Sequence, residues 1–354
     1  MSSPPHPNSE DRAMAPTARP LLRHPRPPGV DTLRQTTRSG LAAIPDPQHR
    51  AMIASVLDSG LVDAIIARTD DFDPPVDHAQ AARDAALLTA ELAAFGVDFP
   101  AATIRDLTQM RTLMVPIADD ALALALDRVW VFTTNVDDVC CHDPAEAAAI
   151  LRAGLLPGEP PSSPNTRYIR HMFDELAPFC DPTVLAVLKT FFHNAVTGQL
   201  MEAEFTPEAS DGVDSDFVRA FNGFSQFWFA MLQFTDPCLA AQHHRAFWAA
   251  ALSSCVAFLN DINDVLSCYK EAVHGADFAA SRPYRQAVNE GIPYLTAYRR
   301  SLDGGLAARR RILDLADERQ RPHLERYMTG YAYWHLHCPR YRWQDLYPGL
   351  SGSA

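Results

Sequence analysis

One segment of the chain is apolar around most of a helical circumference, and this feature restricts the fold more than any other. The segment "LAAQHHRAFWAAALSSCVAFLNDINDVLSCYKEA" (239–272) contains no glycine or proline and has long apolar runs. A helix without a clear polar face is buried on all sides, so other elements must surround it. The sequence therefore predicts a domain built around a central helix.

The rest of the chain has the same helical periodicity. The stretches "HRAMIASVLDSGLVDAIIAR", "PVDHAQAARDAALLTAELAAFG" and "DALALALDRVWVFTTNVDDVC" carry apolar residues at helical spacing, with proline near a start and glycine at an end. Alternating strand patterns, Asn-Gly hairpins between strands and repeats of solenoid length do not occur. The fold class is predicted to be all-α, with a single domain over residues 46–354.

The N-terminal segment differs in composition from the rest. Its first 30 residues, "MSSPPHPNSEDRAMAPTARPLLRHPRPPGV", hold eight prolines and show no apolar periodicity. Because proline lacks a backbone donor and interrupts helices, residues 1–45 are predicted to be a disordered tail.

Charge and cysteine content exclude several classes of partner. The net charge of -12 argues against nucleic acid or an anionic membrane as a partner, because both need a basic surface. No apolar stretch approaches the ~20 residues of a membrane span. The seven cysteines form no CxxC pair and no apolar leader precedes them, so we expect reduced thiols and a cytoplasmic location.

A first polar cluster, "TTNVDDVCCHD", ends an apolar helix pattern. Asp137 and Asp138 are adjacent at the helix C-terminus, where the helix dipole disfavours negative charge. Either the helix end is solvated or a divalent cation offsets the repulsion. Zinc at Cys140, Cys141 and His142 is disfavoured because no second ligand pair follows at the usual spacing.

A second cluster lies in "NDVLSCYKE". Asn263, Ser267 and Glu271 are spaced i, i+4, i+8 and therefore line one stripe of one helix. Amide, hydroxyl and carboxylate oxygens are hard ligands that suit Mg²⁺. Lys270 lies beside the stripe and is a candidate contact for an anion. A chance arrangement on a solvated face is the alternative.

A third cluster, "HCPRYRW", places Arg340 next to Tyr341 near the C-terminus. A guanidinium fork and a phenol together suit a diphosphate. A simple surface pair remains the alternative when this cluster is considered by itself.

Taken together, the three clusters resemble the class I terpene cyclases, in particular the fungal trichodiene-synthase-like sesquiterpene cyclases. "NDVLSCYKE" is similar to that group's Asn/Ser/Glu segment, and "TGYAYWHLHCPRYRW" is similar to its C-terminal segment. "FVRAFNG" resembles the segment that carries the group's diphosphate-sensing arginine, which falls on Arg219. The resemblance covers residues from about 100 to 347.

This resemblance implies a helical bundle around a deep apolar cavity and a Mg²⁺-dependent sesquiterpene cyclase that ionises farnesyl diphosphate. It implies three Mg²⁺ ions held by Asp137, Asp138, Asn263, Ser267 and Glu271, and diphosphate contacts from Arg219, Lys270, Arg340 and Tyr341. Candidate cavity walls are Trp130, which precedes Asp137 by two turns on one helical face, and, by comparison with the family, Phe191, Phe192 and Trp334.

The chain departs from the family pattern at two places. Cys141 occupies the fifth position of the aspartate motif, where the family has a third carboxylate, and Asp143 follows two residues later. Cys338 replaces the aspartate that usually precedes the Arg-Tyr pair by two residues. These changes predict altered metal affinity, with Asp143 as a candidate substitute ligand.

Other functions remain open on the sequence. They are a monoterpene or diterpene cyclase, a prenyltransferase, and a non-catalytic helical protein that binds a hydrophobic ligand. The expected small-molecule partner is a prenyl diphosphate substrate. The protein partner that we consider is a second copy of the chain, in a homodimer.

Overall fold

The structure is a computed structural model that describes residues 38–140, 143–155, 160–203 and 215–350. Within these ranges the chain forms α-helices, short 3-10 segments and turns, and no strand, so the all-α prediction is confirmed. The helices of the first half are α1 (Pro47–Asp58), α2 (Leu61–Thr69), α3 (His78–Phe95), α4 (Ala101–Met114), α5 (Asp120–Cys140), α6 (Pro144–Leu155), α7 (Pro164–Leu176) and α8 (Pro182–Ala203). Those of the second half are α9 (Ser215–Asn222), α10 (Ser225–Ala230), α11 (Arg245–His274), α12 (Ala276–Ala280), α13 (Arg282–Glu290), α14 (Tyr294–Leu315) and α15 (Arg321–His337).

The central helix predicted from the apolar segment is α11, which is 30 residues long. It packs along α14 and also contacts α1, α10, α12 and α15. Its N-terminal half buries apolar side chains such as Phe247, Cys255 and Phe258, whereas its C-terminal half buries polar side chains, including Asn260 and Ser267, in addition to apolar ones. The helix is therefore a core element at one end and a wall of a polar cavity at the other.

A second group of helices encloses that cavity. Helix α5 packs against α4, α6, α7 and α8, α8 packs against α9, and α15 packs against α4 and α11. Side chains from α4, α5, α8, α9, α11 and α15 all reach the cavity. Among the described residues, every helix falls short of the length or the apolar character that a membrane crossing needs.

The start of the folded domain lies earlier than the sequence predicted. A 3-10 segment at Arg38–Ala43 packs on the bundle, with Leu41 and Ile44 buried in the core. The Tyr269 hydroxyl donates to the Gly40 carbonyl oxygen over 2.8 Å. The boundary at residue 45 therefore falls after a segment that belongs to the domain, and the rest of the predicted tail, residues 1–37, lies outside the described residues.

Candidate active site

A cavity of about 380 Å³ opens where the C-terminal parts of α5, α11 and α15 meet. Its charged lining residues are Asp137, Asp138, Glu202, Arg219, Asp264, Lys270, Glu271, Asp277, Arg282, Arg285 and Arg340. These are six carboxylates and five cations. Because several of the arginines already pair with these carboxylates, an anionic ligand would need additional positive charge.

The aspartate pair lies in the last turn of α5 and lines the cavity. The Gln199 side-chain amide donates to Asp137 Oδ1, and Arg340 Nη2 donates to Asp138 Oδ1 over 2.9 Å. Burial, together with the adjacent Asp138 carboxylate, raises the pKa of Asp137 to about 6. A cation bound here would reverse this effect and stabilise both carboxylates in the ionised form.

The structure brings Asn263, Ser267 and Glu271 to the same cavity from α11. The Ser267 hydroxyl donates to Glu271 Oε1 over 2.6 Å, and Arg219 Nη2 donates to Asn263 Oδ1 over 2.9 Å. Burial raises the pKa of Glu271 to about 7, although Lys270 and Ser267 partly offset the rise. The i, i+4, i+8 spacing thus places three oxygen donors on the cavity side of one helix, as the sequence predicted.

A divalent cation fits this donor set. Glu271 Oε2 is buried and has no hydrogen-bond partner among the residues that the structure describes. A buried carboxylate oxygen without a partner is costly unless a proton or a cation satisfies it. The available donors are carboxylate, amide and hydroxyl oxygens, which suit Mg²⁺ better than zinc or copper.

Arg219 is held by three hydrogen bonds on the cavity wall. Its Nε donates to Asp264 Oδ1 over 2.9 Å, and its Nη1 donates to Asn222 Oδ1 over 3.0 Å. Arg282 lies on the other side of Asp264, with Nε 3.0 Å from Asp264 Oδ2, and also pairs with Asp261. These ion pairs fix the guanidinium next to the Asn263 amide oxygen.

The other predicted phosphate-binding residues, Lys270, Arg340 and Tyr341, also line the cavity. Lys270 Nζ lies 5.9 Å from the centroid of the Tyr341 ring. Tyr341 is buried against His335, with ring centroids 4.2 Å apart. Burial lowers the pKa of His335 to about 3, so this imidazole is neutral and acts as packing against the phenol. The predicted phosphate-binding residues are therefore grouped in space.

The predicted apolar wall is only partly correct. Trp334 lines the cavity, and its indole N–H donates to the Asp106 carbonyl oxygen over 3.0 Å. Trp130 and Phe192 are instead fully buried in the core, and Phe191 is partly buried outside the cavity lining. Tertiary packing accounts for two of these positions, because the cavity-lining rings of Trp228 and Phe224 lie beside Trp130 and Phe192 respectively.

Trp228 occupies the position that the sequence assigned to Trp130. The two ring centroids are 6.3 Å apart, and only Trp228 belongs to the cavity lining. Its indole N–H donates to Thr133 Oγ1 over 2.7 Å. Thr133 lies one turn before Asp137 on α5 and also lines the cavity. No sequence motif marked Trp228.

Sequence reasoning also missed a polar group on α8 and α9. Gln199 donates to both Asp137 Oδ1 and the Asn222 carbonyl oxygen. The Asn222 amide in turn donates to Glu202 Oε2 over 2.5 Å. Because Asn222 also accepts from Arg219, this group connects the aspartate helix to the arginine. The sequence signal that could have identified these residues is the presence of polar residues within apolar helix patterns.

A family model described as trichodiene synthase (TRI5) matches residues 130–352, which is more than half of the chain. The chain belongs to the trichodiene synthase family. Comparison with curated protein sequences gives no match. This membership supports a terpene cyclase, and the matched region contains every candidate metal and diphosphate residue described above.

Solved structures with similar folds are terpene synthases. Linalool/nerolidol synthase from Streptomyces clavuligerus is 14% identical with a TM-score of 0.58, over 72% of this chain and 95% of that chain. A cucumene synthase variant is 17% identical with a TM-score of 0.58, over 74% of this chain and 96% of that chain. The same linalool/nerolidol synthase in complex with 2-fluorogeranyl diphosphate has a TM-score of 0.57 at 13% identity, over 72% and 98% of the two chains. These similarities confirm the class I terpene synthase fold.

Within the trichodiene synthase family pattern, the two departures have different outcomes. Cys141 lies outside the described residues. Asp143 is exposed, and its carboxylate accepts from the Glu146 backbone N–H over 3.0 Å as the cap of α6. It does not belong to the cavity lining. Cys338 lies 3.5 Å from Asp106 Oδ2, so a carboxylate from α4 contacts the thiol that replaces the family's aspartate.

Proposed function

We propose that this member of the trichodiene synthase family is a Mg²⁺-dependent sesquiterpene cyclase that ionises farnesyl diphosphate. The observation that carries the proposal is the buried Glu271 Oε2, which has no partner in the described part of the chain and lies in a stripe of oxygen ligands that shares a cavity with the aspartate pair. The family supports cyclisation, and the donor chemistry supports Mg²⁺.

The residues that would hold Mg²⁺ are Asp137, Asp138, Asn263, Ser267 and Glu271. When bound, Mg²⁺ supplies the positive charge that stabilises the departing diphosphate. Family resemblance is the basis for expecting three ions.

The protein's own cations orient the diphosphate. Arg219 is fixed by Asp264 and Asn222, so its guanidinium needs little reorganisation when an anion binds. Arg340 pairs with Asp138, and Lys270 lies close to Tyr341. These groups stabilise negative charge as it develops on the leaving oxygen.

The allylic cation left after ionisation survives only where water is excluded. Trp228, Phe224, Trp334 and Leu107 supply apolar surface to the cavity. The faces of aromatic rings attract a cation by about 0.5–2 kcal/mol each, so Trp228 and Trp334 would guide the migrating charge.

A shorter substrate is the second candidate, and one observation favours it. The indole of Trp228 lines the cavity and bonds to Thr133, one turn before Asp137, and a bulky ring at this place favours a short prenyl chain. A similar fold was solved with 2-fluorogeranyl diphosphate. A C10 diphosphate therefore belongs in the first test.

The test is incubation of the full chain with C10, C15 and C20 prenyl diphosphates and Mg²⁺, followed by analysis of volatile products. A cyclic C15 product that disappears with EDTA and returns with Mg²⁺ supports the proposal. Recovery with Zn²⁺ alone contradicts a hard-cation site. Release of diphosphate from none of the three substrates contradicts terpene synthase activity.

A further inference from the structure

A second set of possible metal ligands lies at the opposite end of α15 from Arg340. Asp236 and Cys238 flank Pro237 in a 3-10 turn (Pro237–Leu239), and His323 lies in the first turn of α15. The 17 residues of α15 correspond to about 25 Å of helix, so this cluster is remote from the catalytic cavity. None of its three residues lines that cavity.

The ligand atoms of the three side chains are close enough to share one ion. The Sγ, imidazole nitrogen and carboxylate oxygen all lie within 4.8 Å of one another, and His323 Nε2 is 3.9 Å from Asp236 Oδ2. Tetrahedral zinc with bonds of about 2.0–2.3 Å places ligand atoms about 3.3–3.6 Å apart. Small side-chain rotations therefore convert the observed arrangement into a coordination geometry.

The backbone around the cluster is already fixed. The Cys238 N–H donates to Asp236 Oδ1 over 2.8 Å, and Gln320 Nε2 donates to the Cys238 carbonyl oxygen over 2.9 Å. The Asp317 carboxylate accepts from the Gln320 backbone N–H over 2.9 Å. These bonds hold the turn against the start of α15, so little conformational entropy is lost when a ligand joins the two elements.

The exposure of the three side chains suits entry of an ion from solvent. Cys238 is 3% exposed, whereas the Asp236 and His323 side chains are 33% and 32% exposed. The thiol is thus buried, and the carboxylate oxygen and imidazole nitrogen lie closer to solvent. Water can occupy the fourth position, as it does in three-ligand zinc sites.

We propose that Asp236, Cys238 and His323 form a Zn²⁺ site that joins the turn after α10 to the first turn of α15. A thiolate and an imidazole favour zinc over Mg²⁺, which distinguishes this site from the oxygen-only site in the cavity. Binding transfers the thiol proton to solvent and forms a zinc–sulfur bond. The proposal does not depend on the function proposed above.

The neighbouring Arg319 supplies a further consequence of the geometry. Its positive charge lies close enough to act on both Asp236 and Cys238. The same charge repels an incoming divalent cation. Arg319 is exposed, so Arg319→Gln should tighten zinc binding without altering the core.

The test uses Co²⁺ as a spectroscopic probe for the full chain in excess Mg²⁺. One Co²⁺ per chain should give a near-ultraviolet thiolate charge-transfer band, and added Zn²⁺ should remove it. Cys238→Ser should abolish the band, and His323→Gln should weaken Co²⁺ binding at least about tenfold. Arg319→Gln should strengthen binding, whereas a purely structural cluster would not respond in that direction.

Cys180→Ser is the matched control, because Cys180 is a half-buried free thiol in another turn. It should leave the band unchanged. His323→Gln alters a one-third exposed side chain, so it tests the site even if Cys238→Ser does not fold. Absence of the band in the wild-type chain at a tenfold excess of Co²⁺, or its persistence in folded Cys238→Ser, would overturn the proposal.

Discussion

Replacing Glu271 by glutamine should stabilise the metal-free protein while it abolishes turnover. Burial raises the pKa of this carboxyl group from 4.5 to about 7. Its ionisation at neutral pH therefore lowers the free energy of unfolding of the metal-free protein. A rise of this size corresponds to about 3 kcal/mol of free energy of unfolding. Glutamine keeps the acceptor for the Ser267 hydroxyl, but its new N–H lacks a partner, which costs about 1 kcal/mol. The expected net gain is about 2 kcal/mol.

The gain should depend on pH in a defined direction. Because the folded-state pKa of Glu271 is raised, ionisation removes stability from the wild-type protein as pH increases from about 4.5 to about 7. Thermal unfolding in EDTA, followed by circular dichroism, should show Glu271→Gln about 4 °C above wild type at pH 8. The difference should fall to about zero at pH 5, where the wild-type carboxyl group is protonated in the folded state.

Magnesium should change the comparison. Mg²⁺ should raise the unfolding midpoint of the wild-type protein more than that of Glu271→Gln, because it binds the ionised carboxylate. Glu290→Gln is the control, since Glu290 forms an exposed ion pair with Arg300 and should change the free energy of unfolding by less than about 1 kcal/mol. An unchanged midpoint for Glu271→Gln at pH 8, or a gain that is equal at both pH values, would refute the reasoning.

Three further predictions concern the cavity and the N-terminal boundary. Asp137→Ala should lower the rate of diphosphate release at least about a hundredfold, whereas Asp143→Ala should retain most of that rate because Asp143 caps a helix. Steady-state kinetics measure both rates, and the reverse order would contradict the assigned metal ligands. Trp228→Phe should raise the ratio of C20 to C15 diphosphate turnover at least about tenfold. Trp248→Phe is the control and should leave this ratio unchanged, because the Trp248 indole donates to a carbonyl oxygen outside the cavity. Deletion of residues 1–37 should preserve the helical circular dichroism signal and turnover, whereas deletion through Arg38–Ala43 should lower the unfolding midpoint because Leu41 leaves the core.

The sequence by itself determined the local features of the fold. Apolar periodicity without strand patterns specified helices, because side-chain spacing in a helix follows directly from its 3.6-residue period. The same geometry placed Asn263, Ser267 and Glu271 on one stripe, and the structure brings all three to the cavity. Family motifs also identified Arg219 and Arg340, which lie on the cavity lining.

Only the tertiary structure decided which side of each helix meets the cavity and which meets another helix. Trp130 and Trp228 have the same chemistry and adjacent rings, yet one is buried in the core and the other lines the cavity, because the packing of α10 decides which ring reaches the cavity. Gln199 reaches Asp137 across 62 positions of sequence, and Cys238 approaches His323 across a similar gap of about 85. Such contacts depend on how helices cross rather than on local periodicity, so a single sequence does not specify them.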